Sequence, residues 1–326
     1  MRAWFRPMCW LAVPCFLACA IALAGPAYTD PDKTDDDFPL QGEYKGTLKN
    51  DDGEITIGLQ VVALGKGQFR GFGYQGGLPG DGADISTKVM VEGKREGDQL
   101  VFTHDDGSAL VKGGTATVTV KGVQIGVLPK VLRESPTLGE KPPKGAVVLF
   151  DGKNTDHWEN AKIENGLLVA GTQTKLKFGD QKIHIEFRIP YQPEDDSQGR
   201  GNSGIYLQGR YEVQMLDSFG LEGKHNECGG IYSVRDPNVN MAFPPLSWQT
   251  YDIDYTAGKY DGDKVVSNPR ITVVHNGVKI HDNVELPGDR NTTAAPVAPG
   301  NAPGPIYLQD HGNPVRYRNI WVVEKK

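Results

Sequence analysis

The sequence predicts an all-β protein: a small antiparallel β domain followed by a larger antiparallel sandwich. Short runs rich in β-branched and aromatic residues alternate polar and apolar positions along most of the chain. Turn signals punctuate them, among them Glu164-Asn165-Gly166, Asp261-Gly262-Asp263 and His275-Asn276-Gly277. No helical period of apolar residues lies between the runs. Many short strands without intervening helices point to a sandwich or barrel, because a sheet must bury its apolar face on another sheet.

Taken in order, residues 1–24 read as a signal peptide. Arg2 and Arg6 give a positive start, residues 9–22 are almost wholly apolar, and Ala22-Leu23-Ala24 puts small residues at the cleavage positions. The apolar run is short for a membrane span and Pro14 interrupts it. The chain is therefore expected to be exported, periplasmic or secreted, with no membrane span after cleavage. Cys19 follows Phe16-Leu17-Ala18, a poor lipoprotein box, so no lipid anchor is expected.

Residues 25–37 are polar, acidic and proline-containing, and predict a flexible leader. Residues 38–132 form the small β domain, of no assigned role. There 42–48 alternates, Asp51-Asp52-Gly53 turns into 55–62, and further strands are expected at 69–74, 88–91, 100–104 and 116–120. Residues 133–145 hold three prolines and two glycines with no apolar period, and read as a linker. Residues 146–326 supply the sandwich, with strands expected at 167–169, 183–189, 204–208, 211–216, 248–255, 270–275, 306–309 and 316–323.

The formal charge is −6, and −8 once Arg2 and Arg6 leave with the signal segment. A mildly acidic chain has no electrostatic reason to seek nucleic acid. Three of the four cysteines lie in the signal segment, leaving Cys228 without a disulfide partner. Stability must then come from apolar cores.

Two segments carry candidate chemistry. Alternation from Arg210 to Met215 puts Arg210, Glu212 and Gln214 on one face and Tyr211, Val213 and Met215 on the other, toward a core. Asp217 joins the polar face only if a bulge intervenes after Gln214. On composition alone such a face is more often a solvated surface. A second strand counts against that: Tyr307, Gln309 and His311 share one face while Ile306 and Leu308 share the other. Arg316 and Arg318 follow with a common parity, suited to hydroxyls or carboxylates.

These residues sit within a set that resembles the 3-keto-disaccharide hydrolase domain family. The set opens with Leu149-Phe150-Asp151-Gly152-Lys153 and Trp158. It continues through Asn202-Ser203-Gly204-Ile205-Tyr206, Arg210-Tyr211-Glu212-Val213-Gln214, Cys228-Gly229-Gly230-Ile231-Tyr232 and Trp248-Gln249. It closes with Gly304-Pro305-Ile306-Tyr307-Leu308-Gln309-Asp310-His311-Gly312 and Tyr317-Arg318-Asn319-Ile320-Trp321. The resemblance covers about residues 146–325 and leaves out the first block. It implies a concanavalin A-like jelly-roll sandwich acting on glycosides whose sugar is oxidised at carbon 3.

Such a ketone acidifies the hydrogen on carbon 2, so elimination from carbon 1 followed by hydration needs a base, an electrophile at the enolate and an acid for the leaving group. The expected catalytic residues are Glu212 or His311 as base and Asp217 as acid or positioning group. Arg210 is expected at the enolate oxygen, and Asn202, Gln214, Gln309, Tyr307 and Arg316 at substrate hydroxyls. No organic cofactor is needed. A divalent metal is left open, with His225 and Glu227 as candidate ligands, although their spacing matches no recognised pattern. Cys228 reads as a packing residue, and His157, His184, His275 and His281 read as structural or solvated.

Two other functions fit the same sandwich. One is a carbohydrate-binding protein without turnover. The other is a laminarinase-type hydrolase, whose Glu-x-Asp-x-x-Glu spacing is met here by Glu212, Gln214 and Asp217 with two substitutions.

Overall fold

The computed structural model describes residues 25–50 and 53–325. The signal-peptide expectation, and Asp51 and Asp52 of the first expected turn, lie outside the described residues. Among the described residues all regular structure is β-strand apart from three 3₁₀ turns. No helix there is long and apolar enough to cross a membrane.

Eight strands from Gly42–Asn50 to Val123–Val131 pair antiparallel in chain order, and the last pairs with the first to close a barrel. Closure removes the two free edges that an open sheet would expose. Period-two alternation fills the interior with Tyr44, Val61, Phe69, Leu100, Phe102 and Val111. Gly93 is required by that filling: a Cβ there would stand 2.4 Å from the Phe102 ring.

The second block is a sandwich of two antiparallel sheets. The smaller runs in the order Trp158–Glu159, Thr172–Thr174, Tyr307–Leu308, Ser203–Leu207, Tyr211–Met215. The larger, eight-stranded sheet centres on Gln181–Arg188, flanked by Arg316–Glu324 and Trp248–Thr256. Alternate residues of both sheets meet in one core: Ile205, Leu207, Val213 and Met215 from the smaller, Ile185, Phe187, Tyr251 and Val322 from the larger. Each such side chain contributes roughly 1.5–3 kcal/mol by leaving water. The architecture is the jelly-roll-like sandwich expected from the alternation.

Two expectations need correction. The leader is held in place: Tyr28 and Tyr191 exchange backbone hydrogen bonds of 2.9 Å, and the Tyr191 ring packs on Phe38. The proline-rich stretch 133–145 is also docked. Ser135 and Thr137 bond Thr250, and the Gly139 N–H donates to Glu186 at 2.6 Å. Both segments cover polar positions on the larger sheet or the barrel, and those partners are invisible to local composition.

The ion pair of Arg133 with Glu43 anchors the docked stretch to the barrel. Glu43 is 1% exposed and accepts from both Arg133 Nε at 2.7 Å and Arg133 Nη2. Arg133 also donates to the Pro79 carbonyl and lies over the Phe243 ring. Arg133→Met should cost about 3–5 kcal/mol in urea unfolding, because it strands a buried carboxylate. Adding Glu43→Gln should restore part of that loss; equal stability of the wild type and the single variant would contradict the assignment.

Candidate active site

The site is built on the hairpin Ser203–Leu207/Tyr211–Met215, whose turn uses positive φ at Gln208 and Gly209. Its register sets Tyr206 opposite Glu212 and Gly204 opposite Gln214. The core takes Ile205, Leu207, Tyr211, Val213 and Met215, so Tyr206, Glu212 and Gln214 face outward. Gly204 makes the space for the carboxylate: a Cβ there would lie 2.1 Å from Glu212 Oε1.

This outward face is not solvated, contrary to the ordinary reading of a polar sheet face. Glu212 is 2% exposed. Segment 228–232 pairs along the hairpin edge, where Gly229 donates to the Gln214 carbonyl and Gln214 to that of Gly230. The long loop 289–304 closes from the other side. Its Thr292 hydroxyl accepts from the Glu212 N–H at 2.9 Å, and Thr293 meets Ser233 at 3.1 Å.

A hydrogen-bond chain runs into the carboxylate. Gln309 Nε2 donates to the Tyr206 hydroxyl at 3.2 Å, and that hydroxyl donates to Glu212 Oε2 at 2.8 Å. Glu212 Oε1 is buried and has no hydrogen-bond partner among the described residues. Burial pushes the Glu212 carboxyl up to about 7, against a smaller lowering by the Tyr206 hydrogen bond. Burial and the adjacent Glu212 hold the Tyr206 phenol well above its ordinary range, so it stays a neutral donor. The Tyr307 ring lies beside that of Tyr206, tilted by 45° with centroids 5.4 Å apart.

Asn202 and Gln214 are joined through a residue that alternation did not single out. Gln198 Oε1 accepts from Gln214 Nε2 at 3.0 Å and from Asn202 Nδ2 at 3.2 Å. Gln198 comes from the 3₁₀ turn Ser197–Gly199, in an irregular polar loop that offers no period to read. Asn202 Oδ1 is a second buried acceptor lacking a partner among the described residues.

The structure thus brings together Glu212, Gln214, Asn202, Gln309 and Tyr307 and separates the other candidates. Asp217 lies past the end of the strand at Met215, where Arg200 Nε donates to it at 2.6 Å. The extended stretch from 212 to 215 alone spans about 10 Å, and Asp217 lies two residues beyond it. That defeats the two-carboxylate arrangement of a retaining hydrolase, which needs about 5–5.5 Å. Arg210 is turned away from Glu212. Its guanidinium donates to the Ala298 and Ala302 carbonyls and to Gln208 Oε1, pinning loop 289–304. His311 is exposed beyond the short strand Tyr307–Leu308. Arg316 belongs to the larger sheet, in the other layer, and pairs with Glu164.

The metal candidates also part company. His225 is exposed and accepts from the Ser233 N–H, while Glu227 accepts from Gly223 and Lys224. Among the described residues a cluster able to take a divalent ion lies elsewhere: His184 and Asp252 of the larger sheet and Glu140 of the docked stretch place ligand atoms within 4.8 Å of one another. His184 there already donates to Asp252 at 2.6 Å. Burial opposes charging of its ring, but hydrogen bonds to Asp252 and Glu186 outweigh burial and draw it up to about 9. A metal would have to displace that proton.

Other sequence readings hold. Cys228 is fully buried, 3.2 Å from the Tyr251 hydroxyl, and burial pushes its thiol up to about 11. That suits packing, not nucleophilic attack. His275 and His281 are buried with their rings pushed down, to about 3 and about 4, by desolvation.

The chain is similar to a solved glycosyl hydrolase candidate from Parabacteroides distasonis ATCC 8503, with 35% identity, 60% of this chain and 92% of that one covered, and a TM-score of 0.53. Two further solved glycosyl hydrolase candidates from the same organism match at 19% and 20% identity. They cover 56% and 55% of this chain and 95% and 99% of theirs, with TM-scores of 0.41 and 0.39. No curated protein matches. The model of the 3-keto-α-glucoside-1,2-lyase-like domain matches residues 145–323, and the chain belongs to that family.

Proposed function

We propose that this chain is an exported carbohydrate-active enzyme that cleaves 3-keto-glycosides by elimination and hydration, with Glu212 as the base. One observation carries the reading: Glu212 is a buried carboxyl tuned to about 7, with one oxygen held by Tyr206 and the other free. A base is most effective when its pKa lies near the working pH.

In the proposed reaction Glu212 Oε1 takes the proton from carbon 2, and the electron pair passes to the 3-keto oxygen as an enolate. Collapse of the enolate restores the 3-keto group, forms the carbon 1–carbon 2 double bond and breaks the bond from carbon 1 to the glycosidic oxygen, which leaves with the pair and takes a proton from solvent. Water then adds its oxygen to carbon 1 and loses one proton to solvent, and Glu212 returns its proton to carbon 2. Tyr206 and Gln309 orient the carboxylate. Asn202 and Gln214, held by Gln198, are suited to sugar hydroxyls. Substrate reaches Glu212 by displacing the covering segments where Ser233 meets Thr293.

Product analysis with a 3-keto-disaccharide and its unoxidised parent tests the reading. The wild type should release a 3-keto-monosaccharide from the keto substrate alone. Glu212→Gln should lower turnover by about 10²–10⁴-fold. Its thermal midpoint should be unchanged or higher above pH 7. The raised carboxyl favours the folded state only while protonated and loses that stability between its unfolded value and about 7, whereas the amide carries no such penalty. Saturable binding of either sugar without cleavage would instead make this a carbohydrate-binding protein.

The pH profile gives a second test. Only ionised Glu212 can accept a proton, so the rate should rise with pH through about 7 and then level off. Tyr206→Phe removes a donor to the carboxylate, so the midpoint of that rise should move to higher pH. An unmoved midpoint would show that this hydrogen bond does not govern the base.

A further inference from the structure

The outer face of the larger sheet carries a polar concavity, in the other layer of the sandwich from Glu212. It encloses about 400 Å³ and is walled by Arg188, Arg316, Arg318 and Trp248. Sheet register forces the charges together: Arg188 is directly opposite Arg316 on one side and Trp248 on the other. Like charges at directly opposed positions are destabilising. The guanidinium groups of Arg188 and Arg318 lie 5.0 and 4.0 Å from the Trp248 ring centre.

Two of the three cations are neutralised. Arg316 pairs with Glu164, and Arg318 donates to Glu186 at 2.6 Å. Asp30, also on the wall, pairs with Lys33. Arg188 donates to the Thr29 carbonyl at 2.9 Å and has no carboxylate within 4.0 Å among the described residues. Burial and then the neighbouring Arg318 pull its guanidinium below the usual range, and Asp30, which also pairs with Lys33, offsets this only in part.

We propose that this pocket binds an acidic sugar of the uronate type, its carboxylate held by Arg188 and Arg316. One guanidinium without a carboxylate within 4.0 Å suits a monoanion, which favours a carboxylate over a phosphate dianion. The planar fork of arginine matches a carboxylate with two parallel hydrogen bonds. The volume exceeds what a bare ion needs and falls in the range of small-molecule sites. Asn165, on the same wall, offers an amide to ring hydroxyls. The choice of a sugar rests on the function proposed above; the need for an anion does not.

Calorimetric titration of the full chain with glucuronate, glucose and inorganic phosphate tests the site. Glucuronate should bind saturably, and glucose should not bind at the same concentration. Arg188→Gln should weaken glucuronate at least tenfold, and Arg188→Lys, which keeps the charge without the fork, should fall between. Both variants should cleave 3-keto-disaccharide as the wild type does, which reports intact folding and separates this site from Glu212. Absence of glucuronate binding, equal affinity in Arg188→Gln, or a preference for phosphate would each overturn the proposal.

Discussion

Buried tyrosine hydroxyls that cross the sandwich core set the height and orientation of the strands on which everything else depends. The Tyr251 hydroxyl donates to the Gln214 carbonyl at 2.7 Å, and that of Tyr255 to Gln208 Oε1 at 3.0 Å. Tyr317 meets the Ser203 hydroxyl in the same way. All three tyrosines stand on the larger sheet, and all three partners lie on or at the turn of the site hairpin. A polar group buried without a partner costs about 1–3 kcal/mol. The hairpin therefore cannot slide by a residue without stranding several such groups at once. Apolar packing holds the layers together, and these hydrogen bonds select one register for Glu212.

Given that register, the tuning of Glu212 follows from what surrounds it. A fully unpaired buried carboxylate would be driven neutral, and a carboxylate with several donors would be held ionised at all working pH values. Glu212 sits between these limits, with Tyr206 as donor on one oxygen and the cleared space over Gly204 on the other. The contrast with Asp217 is instructive. It is also buried, but it accepts from Arg200 and from the Phe219 N–H. Asp217 thus shares a buried ion pair, whereas the free oxygen of Glu212 is available to a substrate proton.

Alternation revealed as much of the site as one strand can know about itself. Tyr211, Val213 and Met215 face the core and Glu212 and Gln214 face away, as the two-residue period requires. What alternation cannot carry is the identity of partners distant in sequence. Arg210 has the parity of Glu212, yet its guanidinium is claimed by carbonyls of residues 298 and 302. Arg316 has a suitable parity too, but its strand pairs with Gln181–Arg188 and so lies in the other layer. His311 follows a strand that ends at Leu308, before the alternation expected to reach it. Gln198 was missed because its loop has no period, and the docked stretch 133–145 because its partners belong to the larger sheet.

The barrel, which lies outside the family match, is nonetheless tied to the site by Arg200. This guanidinium is buried and needs acceptors in several directions. It finds them in Asp217, in the Pro193 carbonyl and, at 3.1 Å, in the barrel carbonyl of Ala63. The Asp217 N–H in turn donates to the Arg200 carbonyl. The chain leaving the site strand is thus fixed by a cation that the barrel helps to satisfy. Just beyond, Phe219 packs with Val62, Phe72 and Tyr74 of the barrel. Lys88 reaches across to the carbonyls of Gly220 and Leu221. These contacts give the barrel a physical connection to the geometry of the hairpin end, because losing the bond to Ala63 would leave the buried Arg200 guanidinium short of an acceptor.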